Sequence, residues 1–174
     1  MRISISDFTS LFSILAVLVS IIALVVEIRR DRLALQVDLL LRLDDKLHSP
    51  EFKALRQVAA QKLLSNERPN YELEDLLELF STIAFLYERK AIDADLAFVH
   101  FSYWLDRYWL CARNYVEEES RKYDPLSYKT LERVAQLFVE KELKSGYPPF
   151  SEEVLQNFLK EETHATVRGG IIRA

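Results

Sequence analysis

Cysteine occurs once in the 174 residues, at Cys111. A lone cysteine excludes an internal disulfide and any multi-cysteine zinc site. Glycine occurs three times, twice as the pair Gly169-Gly170, so no glycine-rich phosphate loop can be built. Positive charge is not in excess either: 23 basic residues face 27 acidic ones, for a net charge of −4. That balance argues against a broad electrostatic footprint on nucleic acid. The chain also lacks a Ser-His-Asp elbow, a His-Glu-x-x-His motif and a Walker lysine.

What the chain does have is one long apolar run. Phe8 to Val26 contains 19 residues without a charge. At about 1.5 Å per residue a helix of that length spans roughly 28 Å, close to the hydrocarbon thickness of a bilayer. The run ends in Glu27-Ile28-Arg29-Arg30-Asp31-Arg32, with no small-residue cleavage site, so it reads as an uncleaved transmembrane anchor. Arg29, Arg30 and Arg32 outnumber Arg2 across the span, which predicts a single-pass protein with its C-terminal domain in the cytoplasm. The unpaired Cys111 fits a reducing compartment.

Within the run, Thr9, Ser13, Ala16, Ser20 and Ala23 are spaced 4, 3, 4 and 3 residues apart. On a helix they fall within an arc of about 80°. Small and hydroxylated residues let helices approach closely in lipid, so this stripe is the candidate membrane helix–helix interface. The expected partners are the bilayer and a second copy of the chain or another membrane protein. No nucleic acid is expected as a partner.

After the anchor and its basic flank (1–32), helical periodicity dominates a bundle domain over 33–163, and 164–174 reads as a flexible tail. This part, Leu33 to Ala174, is mildly acidic, with 19 basic and 24 acidic residues. Leu33, Val37, Leu40, Leu43 and Leu47 form one stripe, and no Pro or Gly separates them from the anchor. Ser49-Pro50-Glu51 is a helix start with Phe52, Leu55, Ala59 and Leu63 on its apolar side. A loop over Ser65–Asn70 precedes a helix capped by Asn70, with Leu73, Leu76, Leu77, Phe80, Ile83, Ala84 and Tyr87 inward. Asp93 caps a long helix predicted to reach about Lys122. Asp124-Pro125 predicts the next start, with Leu131, Val134, Ala135 and Phe138 inward. Ser151 opens a last short helix carrying Val154, Leu155 and Phe158. The expected fold is therefore all-α: one N-terminal transmembrane helix followed by a cytoplasmic bundle of about five helices.

The segment from Leu39 to about Leu143 resembles a bacterial family of small single-pass membrane proteins known as domain of unknown function 4760. The resemblance rests on Ser49-Pro50-Glu51-Phe52 with Arg56, on the Leu76–Lys90 helix closing at Arg89-Lys90-Ala91-Ile92-Asp93, and on Phe101-Ser102-Tyr103-Trp104 to Tyr108-Trp109 with Arg121. It implies a helical domain on the bacterial inner membrane and brings no reaction with it.

The aromatic helix holds most of the residues able to carry chemistry. Ala97, Phe101, Trp104, Tyr108, Cys111 and Tyr115 form one apolar face, and Val99, Tyr103 and Leu110 lie on another. Between them His100, Arg107 and Asn114 recur every seven residues as a candidate polar network, with Glu78 or Glu88 as carboxylate partners. Asp44, Asp45 and His48 sit within one turn, yet ligands from one helix alone do not build a metal site. Arg42 and His48 have a spacing similar to that of helical ribonuclease domains, but Leu43 stands where those domains carry a polar residue. No cofactor and no catalytic residue is expected. The favoured role is a non-enzymatic, self-associating, membrane-anchored interaction or scaffold module. Alternatives are a membrane effector or sensor in bacterial stress or phage defence and, third, a ribonuclease using Arg42 and His48.

Overall fold

A computed structural model describes residues 5–67 and 71–164, with side chains from residue 17 onward. Among these residues the chain is all-α, with six helices and no strand. They are α1 (Ile5–His48), α2 (Pro50–Ser65), α3 (Tyr71–Glu88), α4 (Ala94–Tyr115), α5 (Lys129–Lys144) and α6 (Glu152–Thr163). The chain divides into two compact units, Met1–Asp38 and Leu39–Ala174. Most of α1 belongs to the first unit and its last turns, from Leu39, to the second.

In the first unit, Val17, Leu18, Val19, Ile21, Ile22, Leu24, Val25 and Val26 are all exposed. Among the described residues no helix is long and apolar enough to cross a membrane. Part of the expected span, Phe8–Ala16, lies outside the residues whose side chains are described, as do Thr9, Ser13 and Ala16 of the small-residue stripe. The tail over 165–174 and the predicted cap Asn70 also lie outside the described residues. The stripe expected from Leu33 to Leu47 is inward only in its second half. Leu33 is 55% exposed and Val37 sits at the edge of exposure, whereas Leu40, Leu43 and Leu47 are buried.

The second unit is built around α3 and α4. All the apolar positions expected inward on α3 are buried except Tyr87, which is half-buried against the core. On α4, Ala97, Phe101 and Tyr108 are fully buried, with Trp104, Cys111 and Tyr115 half-buried. The second apolar side expected there is wrong in detail. Val99 is 74% exposed and Tyr103 also faces outward, while Ser102, Leu105, Asp106 and Trp109 make the second buried stripe. Neighbouring helices pack on both stripes, so one polar pair, Ser102 and Asp106, is carried inside.

Helix starts follow local chemistry. Ser49 Oγ accepts the Phe52 amide at 3.2 Å, and Pro50 occupies the first turn, where its missing N–H costs nothing. Asp93 Oδ1 accepts the Asp95 and Leu96 amides at 3.0 and 2.9 Å. Ser151 accepts the Val154 amide at 3.3 Å. α2 ends at Asn66, whose left-handed φ of 51° lets its amide reach the Lys62 carbonyl.

Two boundaries differ from the sequence reading. α4 gives way at Val116 to a widened π-helical turn, Val116–Ser120, followed by a single turn Arg121–Tyr123. Asp124 does not start a helix. Its carboxylate accepts the Leu126 amide at 2.9 Å and its carbonyl accepts the Ser127 amide at 3.0 Å, closing a tight turn. Tyr128 then takes a left-handed φ of 58°, and α5 begins only at Lys129. In α6 the buried apolar positions are Phe158 and Leu159, while Val154 is 40% exposed.

Candidate functional site

Three polar clusters stand out in the second unit. The first joins α2, α4 and α6. Arg56 on α2 is only 4% exposed, and its Nε lies 3.3 Å from Glu162 Oε2 on α6. That pair is an ion contact without hydrogen-bond alignment, and Nε and Nη1 of Arg56 have no hydrogen-bond partner among the described residues. Tyr108 on α4 places its hydroxyl 3.0 Å from Glu162 Oε2 and 3.1 Å from the Arg56 carbonyl oxygen. The Trp104 indole N–H donates to Glu162 Oε1 at 3.4 Å, and the Arg56 guanidinium lies 5.1 Å from the Trp104 ring. Burial first, and then the Glu162 carboxylate, push the Tyr108 hydroxyl well above its ordinary pKa. The phenol therefore stays protonated and acts as a donor.

The second cluster joins α4 to the end of α5. Asp106 is fully buried, and its Oδ1 lies 3.0 Å from Arg107 Nη1. The same Nη1 is 3.7 Å from Glu142 Oε1 on α5. Arg107 also donates to the Tyr103 carbonyl at 3.0 Å and lies 4.4 Å from the Tyr103 ring and 4.7 Å from the Phe150 ring. One guanidinium thus serves two buried carboxylates, and Asp106 Oδ2 has no partner among the described residues. Burial, followed by repulsion from Glu142, raises the Asp106 carboxyl from 3.8 to about 7, although Arg107 opposes the shift. Such a carboxyl holds a proton up to neutral pH.

The third cluster is at the surface. Asp44 Oδ1 lies 3.2 Å from His100 Nδ1 and 3.5 Å from His48 Nδ1, and His48 Nδ1 is also 2.9 Å from the Asp44 carbonyl oxygen. The His48 ring meets the Trp104 indole edge-on at 5.0 Å. Among the described residues no group of three His, Cys, Asp or Glu side chains is placed to hold a metal ion.

The candidate network His100, Arg107 and Asn114 is therefore dispersed. His100 turns to Asp44 on α1, Arg107 to Asp106 and Glu142, and Asn114 is exposed. Seven residues advance about 10.5 Å along a helix, so His100 and Arg107 lie level with different neighbours and Asn114 faces outward. The expected carboxylate partners are engaged elsewhere or outward. Glu88 accepts both arms of Arg133 at 2.9 Å, and Glu78 lines a cleft of about 370 Å³ between α1, α2 and α3 with Lys46, Glu51 and Asp75. The residues that do meet are Arg56, Tyr108 and Glu162. Their separation in sequence is 52 and 54 residues, which no local pattern reports. Asp106 did carry a local signal, since Ser102, Leu105 and Trp109 flank it on one face.

Geometry defines an all-α domain with internal polar ties, preceded in the chain by a helical stretch whose described large apolar side chains, Val17 to Val26, are exposed. The chain belongs to the DUF4760 family, described as a domain of unknown function, whose model matches residues 10–138. No curated protein and no solved structure matches the chain.

Proposed function

We propose that the chain is a membrane-anchored helical interaction module, inserted once in a bacterial inner membrane with its helical domain on the cytoplasmic side. The carrying observation is the uncharged run Phe8–Val26, within which the large apolar side chains from Val17 to Val26 are exposed on every side of α1. A helix apolar all round has no watery face and finds its lowest free energy in lipid or against other apolar helices. At about 25 cal/mol per Å², eight such side chains in water are a cost on the order of 10 kcal/mol. The basic residues Arg29, Arg30 and Arg32 support the orientation.

Self-association is the second part of this reading. The spacing of Thr9, Ser13, Ala16, Ser20 and Ala23 in the sequence, 4, 3, 4 and 3 residues, supports a contact between two copies along that stripe. The role is to bind rather than to catalyse.

Reconstitution of the full chain into liposomes tests the anchor. The protein is expected to float with lipid after an alkaline wash, and Ile22→Asp combined with Val19→Asp is expected to leave it in the dense aqueous layer. Flotation of the double variant at the parent level would refute insertion of this segment.

A further inference from the structure

Arg107 stands between two buried carboxyl groups and can hydrogen-bond only one of them through Nη1. That nitrogen donates to the Tyr103 carbonyl and to Asp106 Oδ1, each at 3.0 Å. A guanidinium Nη has two hydrogens, so both are in use. Glu142 Oε1, 3.7 Å from the same Nη1, lies beyond hydrogen-bond length and is held by charge. Asp106 is fully buried, and its Oδ2 has no partner among the described residues. The arrangement suits a neutral Asp106 with its proton on Oδ2. Loss of that proton puts a second, poorly solvated negative charge beside Glu142.

Of the two carboxyl groups, Glu142 is the one placed to give way. Asp106 stands in the middle of α4, whereas Glu142 is third from the end of α5. The Glu142 carbonyl accepts the Ser145 and Tyr147 amides at 3.0 and 3.2 Å, and Gly146 between them takes a φ of 90°. The connection then leads to Phe150, whose ring lies 4.7 Å from the Arg107 guanidinium. The Glu142 side chain and the turn after α5 are thus parts of one short segment. The charges acting on Asp106 are Glu142 from α5 and Arg107 from its own helix. The other charged groups of the packed elements are engaged elsewhere: Lys141 of α5 with Asp95, Glu161 of α6 with the Tyr103 hydroxyl, and Glu162 of α6 with Tyr108 and with Arg56 of α2.

We propose that Asp106, Arg107 and Glu142 form a proton-operated latch on the end of α5. With Asp106 protonated, Arg107 holds Glu142, and the last turn of α5 stays closed over α4. With Asp106 ionised, Glu142 is repelled, and the last turn of α5 with the Ser145–Phe150 connection opens to water as a local unit. The closed state binds one proton more than the open state between the ordinary carboxyl range and about pH 7, so opening becomes easier as pH rises through that window and levels off above it. This inference does not depend on the anchor.

The test is amide hydrogen exchange on the full chain in detergent micelles from pH 5 to pH 8.5, with each rate divided by its intrinsic rate, under conditions where exchange tracks the opening equilibrium. Amides over 141–147 are expected to lose about tenfold or more of their protection between pH 5 and 7, to change little above that, and to exchange faster throughout than the core amides of α3. Asp106→Asn is expected to abolish the pH response at 141–147. Glu142→Gln, which keeps Asp106 and removes the repulsion, is expected to move its midpoint to lower pH. Protection at 141–147 that does not change with pH, or that changes only in step with and at the rate of the α3 core, would overturn the latch. An unshifted midpoint in Glu142→Gln would overturn it as well, whether or not Asp106→Asn folds.

Discussion

The Tyr108 hydroxyl lies 3.0 Å from Glu162 Oε2, a contact between residues 54 positions apart that ties the central helix to the last one. The phenol has one proton and two oxygens within reach, the carboxylate and the Arg56 carbonyl. It faces a carboxylate that is itself nearly buried, so removal of the hydroxyl strips a charged acceptor of its donor. Tyr108→Phe is expected to destabilise the domain by about 1–3 kcal/mol in denaturant unfolding. A change below about 0.5 kcal/mol would mean that this contact contributes nothing to holding α6.

Asp106 gives the domain a pH dependence of defined sign. Its carboxyl is raised from 3.8 to about 7, so the folded state binds a proton that the unfolded state has already released. Its contribution is therefore complete below about pH 4 and is lost as pH rises toward about 7. Glu142 and Arg107 are the charged groups acting on it, from α5 and from its own helix. Asp106→Asn is expected to remove most of the decline between about pH 4 and 7 and to raise the melting temperature at pH 8. A parent protein whose stability rises monotonically over that window, with the variant unchanged in slope, would contradict this assignment.

Ser49 anchors the start of α2 through a single side-chain acceptor, 3.2 Å from the Phe52 amide. Ser49→Ala is expected to cost about 1 kcal/mol, and Ser49→Asp to cost less than half of that. Equal losses in the two variants would place the effect elsewhere than the cap.

Burial alone pushes the Cys111 thiol up to about 12. At pH 8 it holds roughly a thousandth of the thiolate expected at the ordinary value of 9.0. Maleimide labelling is expected to be slow in the folded protein and to become fast in denaturant. Rapid labelling of the folded chain would place Cys111 in an open, activated setting.

Most of the helical framework was legible because it is specified locally. Ser49-Pro50, Asp93 and Ser151 are caps whose partners lie two or three residues away. The buried side of α3 follows a period of 3.6 from Leu73 to Ala84 without interruption. The misreadings arose where a local signal had two outcomes. Asp124-Pro125 suits both a helix start and a tight turn, and the left-handed Tyr128 decides for the turn. The seven-residue repeat of His100, Arg107 and Asn114 suggests one network, but His100 turns to α1, Arg107 to its own helix and to α5, and Asn114 faces outward. The Arg56–Tyr108–Glu162 tie was illegible for the same reason, since α6 reaches it only after three further helices are in place.

Fractionation of cells expressing the full chain, lysed without detergent, tests the central proposal most directly. The protein is expected to sediment with the membranes, to resist extraction at alkaline pH and to be released by detergent. Recovery in the high-speed supernatant before any detergent is added would contradict the membrane anchor and, with it, the proposed orientation and self-association within the bilayer.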